Sequence, residues 1–191
     1  MKEIKFFVIA IFFQLLFPAV LLSETAGSNL KDIDKFLVGP FKGFQVAEQK
    51  KEFVDFPFYD GLGNSLRISH FRGKFLILNI WATWCIPCRT EMPSLDRLQH
   101  SFKDEKLMVL AMSQDRAGEI LVKKFFKEMQ IEHLGIFIDS RGNAKRMTGT
   151  FMLPTTIVID PDGVEVGRLL GGANWHSKEA IALMRYLVEG N

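Results

Sequence analysis

The stretch Phe75-Leu76-Ile77-Leu78-Asn79-Ile80-Trp81 is apolar at every position but one. A surface strand would alternate polar and apolar residues, so this run reads as a strand covered on both faces, with helices layered against a sheet. Downstream, Met92, Leu95, Leu98 and Phe102 recur at spacings of three and four, which predicts an amphipathic helix over 89–102, bent at Pro93. Residues 107–112 repeat the buried-strand pattern, 119–129 the helical one, and 135–138 make a short strand before a polar crossover. Residues 53–59 and 65–68 read as a hairpin about a turn at 60–64. Residues 155–159 and 164–170 read as a second hairpin about Pro161 and the Asp162-Gly163 pair. Ser177 can cap a last helix reaching about Val188. Alternating strands and helices call for parallel pairing and the hairpins add antiparallel strands. The expected fold class is therefore α/β: a mixed sheet flanked by helices, with an N-terminal β-hairpin extension.

At the start of the chain Lys2 and Lys5 precede residues 6–22, an apolar run broken only by Gln14, in the charged-then-apolar order of an export segment. The run is long for a signal core and short of the roughly 20 residues that span a bilayer. Ser23, Thr25, Ala26 and Gly27 are interleaved with Glu24, so no clean small-x-small cleavage site follows. A retained anchor is the preferred reading and a cleaved signal the alternative. The organisation expected is a signal peptide or membrane anchor at 1–22, a polar linker at 23–52 with a short helix near 31–38, and one domain at 53–191. Either export reading places that domain on the extracytoplasmic face, in a periplasm or anchored in the inner membrane. Twenty-four basic and 22 acidic residues are scattered along the chain for a net charge of +2, which offers no concentrated field to a phosphate backbone and argues against nucleic acid as a partner.

An exported protein that uses cysteine for stability usually closes several longer loops, but this chain has only Cys85 and Cys88, separated by two residues. So short a loop removes little entropy from the unfolded chain, and the bond is better explained as one to be made and broken. Cys85 falls where the buried strand gives way to a helix, and free N–H groups and the helix dipole there favour a thiolate. Cys85 is the expected attacking sulfur. Cys88, one turn further on and more buried, can resolve the mixed disulfide. Glu91 follows three residues later on the same helix face, where a buried carboxyl can exchange protons with the sulfurs. A first-turn acid is also favoured by the dipole, so a solvent-facing Glu fits that position too. A structural zinc site needs four ligands, and His70, His100, His133 and His176 show no close spacing to one another or to the cysteines. No metal and no cofactor is expected.

The segment Trp81-Ala82-Thr83-Trp84-Cys85-Ile86-Pro87-Cys88 combines with Phe71-Arg72-Gly73-Lys74, Arg89-Thr90-Glu91-Met92-Pro93, Leu153-Pro154-Thr155-Thr156 and the stretch from Gly172 to Trp175. In this order they resemble the thioredoxin superfamily, within it the TlpA/ResA-like branch of exported thiol:disulfide oxidoreductases, over about 53–188. The resemblance implies a thioredoxin-like domain with Pro154 in a cis-proline loop beside the cysteines. It also implies that Leu153 and Thr155 flank a substrate groove to which Trp84 and Pro87 contribute, and that Glu91 belongs to the active site. The superfamily's buried Asp in the preceding strand is replaced by Asn79, which cannot titrate. Implied partners are exported proteins with cysteine pairs, such as apocytochrome c or copper-site assembly factors, and a membrane thiol carrier as electron donor. Two alternatives remain at this stage. A thiol peroxidase of the peroxiredoxin group would place Thr three residues before its reactive Cys, where this chain has Ala82. A Cu(I) carrier would exploit soft sulfur ligands, but usually with wider cysteine spacing and an added His.

Overall fold

The structure, a computed structural model, describes residues 30–103 and 106–190. The 1–22 segment lies outside the described residues. Two 3₁₀ turns, Leu30–Phe36 and Gly39–Gly43, lead into β1 (Gln45–Val46), β2 (Pro57–Asp60), β3 (Ser65–Arg67), a third 3₁₀ turn (Ile68–Phe71) and β4 (Phe75–Trp81). Then follow α1 (Ile86–Ser101), β5 (Leu107–Ser113), α2 (Glu119–Glu128), β6 (Phe137–Ile138), α3 (Asn143–Thr148), β7 (Thr155–Ile159), β8 (Glu165–Leu170) and α4 (Lys178–Glu189). One sheet results, in the order β1-β8-β7-β4-β5-β6-β2-β3. β4 and β5 are parallel, as are β5 and β6, while the two hairpins and the β4–β7 pair are antiparallel. The α/β class with a mixed sheet and an added N-terminal hairpin is the one the patterning predicts.

β4 is central and buried along its whole length, which is why its sequence lacks alternation. Phe75, Ile77 and Trp81 face a cluster that includes Met92, Leu95, Val122 and Leu183, from α1, α2 and α4. Leu76, Leu78 and Ile80 face the other side with Phe56, Phe58, Ile68 and Ala144. The sheet thus has helices on one face and the hairpin aromatics with α3 on the other. Burying apolar area on both faces, at about 25 cal/mol per Å², is the main stabilising term.

Two details differ from the sequence reading. The polar crossover contains α3, whose first N–H groups, those of Asn143 and Ala144, are accepted by the Asp139 carboxylate at 2.9 and 2.7 Å. The 30–46 stretch, read as linker, lies against the domain: Ile33, Phe41 and Phe44 are buried in the main core, and β1 pairs antiparallel with β8. Hydrophobic residues spaced irregularly in a polar stretch carry no period, and packing alone reveals them.

Candidate active site

β4 ends at Trp81, and the chain turns through Ala82, Thr83 and Trp84 before α1 begins. Cys85 occupies the N-cap of α1 with an extended backbone, and its Sγ accepts the Cys88 N–H at 3.3 Å. The sulfur therefore sits where helix N–H groups converge and negative charge is favoured. Cys85 and Cys88 form a disulfide with a Cα–Cα separation of 5.3 Å. Cys85 keeps 6% exposure while Cys88 keeps none, so only the first cysteine reaches the surface at all. Pro87, exposed in the first turn of α1, fits there because N-terminal helix positions need no N–H partner.

Opposite the cysteines, β7 is preceded by a loop with a cis Leu153–Pro154 bond. Gly172 ties the parts together: a Cβ built on it would lie 3.3 Å from the Pro87 carbonyl oxygen, 3.7 Å from Glu91 Oε2 and 3.8 Å from Pro154 Cγ. A side chain there would press on the Pro87 carbonyl and meet Glu91 and Pro154 at van der Waals distance. Pro154 is buried and Leu153 half-buried, whereas Thr155 is fully buried with its hydroxyl donating to the Met152 carbonyl at 2.9 Å. The open apolar surface of this loop is Phe151, 93% exposed, with Met152 beside it, residues the sequence reading did not single out. Before the cysteines, Trp84 is 69% exposed, whereas Trp81 is fully buried against Phe125 and Phe126.

Glu91 is buried on the inner face of α1. Its Oε1 accepts from Asn79 Nδ2 at 2.8 Å, and its Oε2 accepts from the Ala173 N–H at 3.0 Å and from Trp175 Nε1 at 3.1 Å. Burial pushes its carboxyl up to about 7, against the opposing pull of those three donors. A carboxyl that titrates near neutral pH is able to take up or release a proton. Asn79 also donates to Thr156 Oγ1 at 2.9 Å, while its Oδ1 has no partner among the described residues. Glu91 borders a cavity of about 640 Å³, with Pro40, Pro87, Thr90, Gly172 and Ala173 also in its lining. Spacing along α1 locates Glu91, but Ala173 and Trp175 come from more than 80 residues away, and only the matching Gly172-to-Trp175 stretch hinted at them. Asp115, which holds the turn before Cys85, gave no sequence signal. Among the described residues no three His, Cys, Asp or Glu side chains converge as a metal ion requires.

A cysteine pair at a strand-to-helix junction, facing a cis-proline loop on a mixed sheet, defines the thioredoxin-like class of dithiol/disulfide proteins. The chain belongs to the AhpC/TSA family, whose model matches residues 49–165, and is a TlpA/ResA-like thiol:disulfide oxidoreductase of the thioredoxin superfamily. It is 32% identical over 135 residues to thiol-disulfide oxidoreductase ResA of Bacillus thuringiensis subsp. konkukian, covering 69% of this chain and 77% of that one. Among solved structures, it resembles a thiol:disulfide interchange protein DsbE of Chlorobium tepidum, with TM-score 0.66 and 23% identity, over 74% of this chain and 98% of the other. The exposed lipoprotein thioredoxin of Streptococcus pneumoniae gives TM-score 0.56 and 24% identity, over 69% and 97%.

Proposed function

We propose that this oxidoreductase works outside the cytoplasm as a reductant, returning cysteine pairs of particular exported proteins to the dithiol form. In this reading Cys85 and Cys88 are the working sulfurs. The Cys85 thiolate attacks one sulfur of a substrate disulfide; a new S–S bond forms and the other substrate sulfur leaves as a thiolate. Cys88 passes its proton to Glu91 and attacks Cys85, releasing the second substrate thiolate. Two electrons have moved to the substrate, and the protein is left with the Cys85–Cys88 disulfide. A membrane thiol carrier restores the dithiol by the same exchange in reverse. The observation that carries the assignment is the asymmetry of the pair: Cys85 at a helix N-terminus with a small exposed edge, Cys88 fully buried behind it.

Substrate contacts are assigned to Trp84, Pro87, Leu153 and Pro154, with Thr155 beneath them, buried throughout and paired across the sheet with Ile80 and Leu170, holding the loop in place. The 1–22 segment is assigned as an export signal or anchor, and residues 53–191 as the catalytic domain, against which the 30–46 stretch packs. Export is supported by the charged-then-apolar order of that segment. The class of substrate is that of haem-attachment thiols in apocytochrome c or copper-site thiols of assembly factors, as for the branch this chain resembles.

The test is capture in the native compartment. With Cys88→Ser the mixed disulfide at Cys85 cannot be resolved, so substrate proteins should stay attached through Cys85 and be released by a reductant. Adducts that persist in a Cys85→Ser variant, or none at all, would reject the assignment of roles. A reduction potential above about −150 mV would reverse the direction to oxidation. Peroxide consumption without disulfide exchange would replace the reading with a peroxidase.

A further inference from the structure

Thr83 lies two residues before Cys85 and is held from two sides. Asp115, just beyond the carboxyl end of β5 and 2% exposed, accepts the Thr83 backbone N–H at 2.9 Å through Oδ2 and the Thr83 hydroxyl at 2.7 Å through Oδ1. The Ser113 hydroxyl donates to the same Oδ2 at 2.7 Å, and the Asp115 N–H donates back to Ser113 Oγ at 3.0 Å, which fixes the carboxylate. From the helix side Arg89 Nη1 donates to the Thr83 carbonyl at 3.2 Å, its guanidinium lying 4.9 Å from the centre of the Phe125 ring. Every polar group of Thr83 is thus engaged. A buried carboxylate is tolerated only where such bonds satisfy it, yet the thiol chemistry assigned to Cys85, Cys88 and Glu91 makes no use of this one.

We infer that Asp115, acting through Thr83, is a positioning residue that holds Cys85 against Cys88 and so sets the effective concentration of each sulfur for the other. The inference rests on the reading of Cys85 and Cys88 as the redox pair. In the oxidised protein the S–S bond itself joins them. In the dithiol that bond is gone, and what keeps Cys85 at the helix start is the backbone leading to it. β4 is fixed by its neighbours in the sheet and α1 by its own hydrogen bonds. Between them the turn is closed by the Cys85 N–H donating to the Ala82 carbonyl at 3.1 Å, and the two-sided clamp on Thr83 adds the side-chain restraint to it.

A group held in reacting geometry behaves as if present at far higher concentration than a loose one. The consequence can be read from a balanced exchange: the protein disulfide and two molecules of glutathione thiol give the protein dithiol and one glutathione disulfide, two electrons and two protons passing to the protein pair. Loosening the turn lowers the effective concentration, makes the disulfide easier to reduce and slows the attack of Cys88 on a mixed disulfide at Cys85.

The experiment equilibrates the full chain with glutathione redox buffers and times glutathione release from the mixed disulfide. Asp115→Ala should make the disulfide about tenfold easier to reduce, about 30 mV, and slow release by a similar factor. Thr83→Val keeps the backbone N–H bond but loses the hydroxyl bond, and should give a smaller change of the same sign. Asp115→Asn, which keeps one acceptor oxygen, should recover part of the effect, and the Asp115→Ala/Thr83→Val pair should be no worse than Asp115→Ala alone. A lower melting temperature with unchanged equilibrium and release would make Asp115 a structural residue only and overturn the inference. Should Asp115→Ala not fold, Thr83→Val decides, and wild-type values there overturn it equally. Failure of the unmodified protein to exchange with glutathione would instead strike at the Cys85–Cys88 assignment.

Discussion

Glu91 shows how one side chain can be pulled both ways by its surroundings. Three N–H groups favour its charged form, burial disfavours it, and burial prevails, which leaves the carboxyl at about 7. The folded protein therefore keeps a proton that the unfolded chain gives up near pH 4.5. Between about pH 4.5 and 7 the unfolded state binds fewer protons than the folded one, so stability falls as pH rises and levels off above 7. The loss from this group is about 3 kcal/mol. Glu91→Gln should flatten that slope in denaturant titrations at stepped pH; an unchanged slope would place the titration elsewhere. If Glu91 takes the Cys88 proton, kcat/KM for disulfide reduction should climb through pH 7, and the Gln variant should lose that limb along with on the order of a hundredfold in rate. The cysteines and Glu91 were legible because strand-to-helix placement and a spacing of three act locally along the chain. Asp115, Ala173 and Trp175 reach the site through the tertiary fold, and no spacing rule connects residues 32 to 84 positions apart.

Elements were legible in proportion to their length and to the number of faces they bury. β4 announced itself by unbroken apolarity, and α4 by its cap, where the Ser177 hydroxyl accepts the Ala180 N–H at 3.2 Å. β1, two residues long, and α3, with Ala144 as its one buried residue, are too short to show a period. β1 nevertheless meets β8 closely. A Cβ on Gly167 would fall 2.5 Å from the Gln45 carbonyl oxygen and 2.5 Å from Phe44 Cε1, so glycine is what lets the two strands pair. Gly167→Ala should push β1 outward at a cost of about 1–3 kcal/mol, with faster hydrogen exchange at the Ala47 N–H, which is bonded to the Val166 carbonyl at 2.9 Å. Wild-type stability and protection would mean that this edge tolerates a side chain.

At the scale of the molecule, the 30–46 stretch packs into the same core cluster as the redox site. Phe41 is fully buried and meets Trp175 edge-on at a ring separation of 5.2 Å, and Trp175 in turn donates to Glu91. Pro40 joins Glu91 in lining the same cavity. A segment tethered loosely to a finished domain could be trimmed without consequence; one that fills the core beside the site cannot. Phe41→Ala removes a buried ring from between the 30–46 stretch and the site, and should cost about 3–5 kcal/mol. That is a large share of the 5–15 kcal/mol typical of a domain. Because the ring lies within the main core, the loss should appear as one earlier unfolding transition, with tryptophan fluorescence and far-ultraviolet circular dichroism moving together. Two separated transitions, the first without a tryptophan signal, would show the 30–46 stretch to be an independent appendage whose contact with Trp175 contributes nothing to holding Glu91 in place.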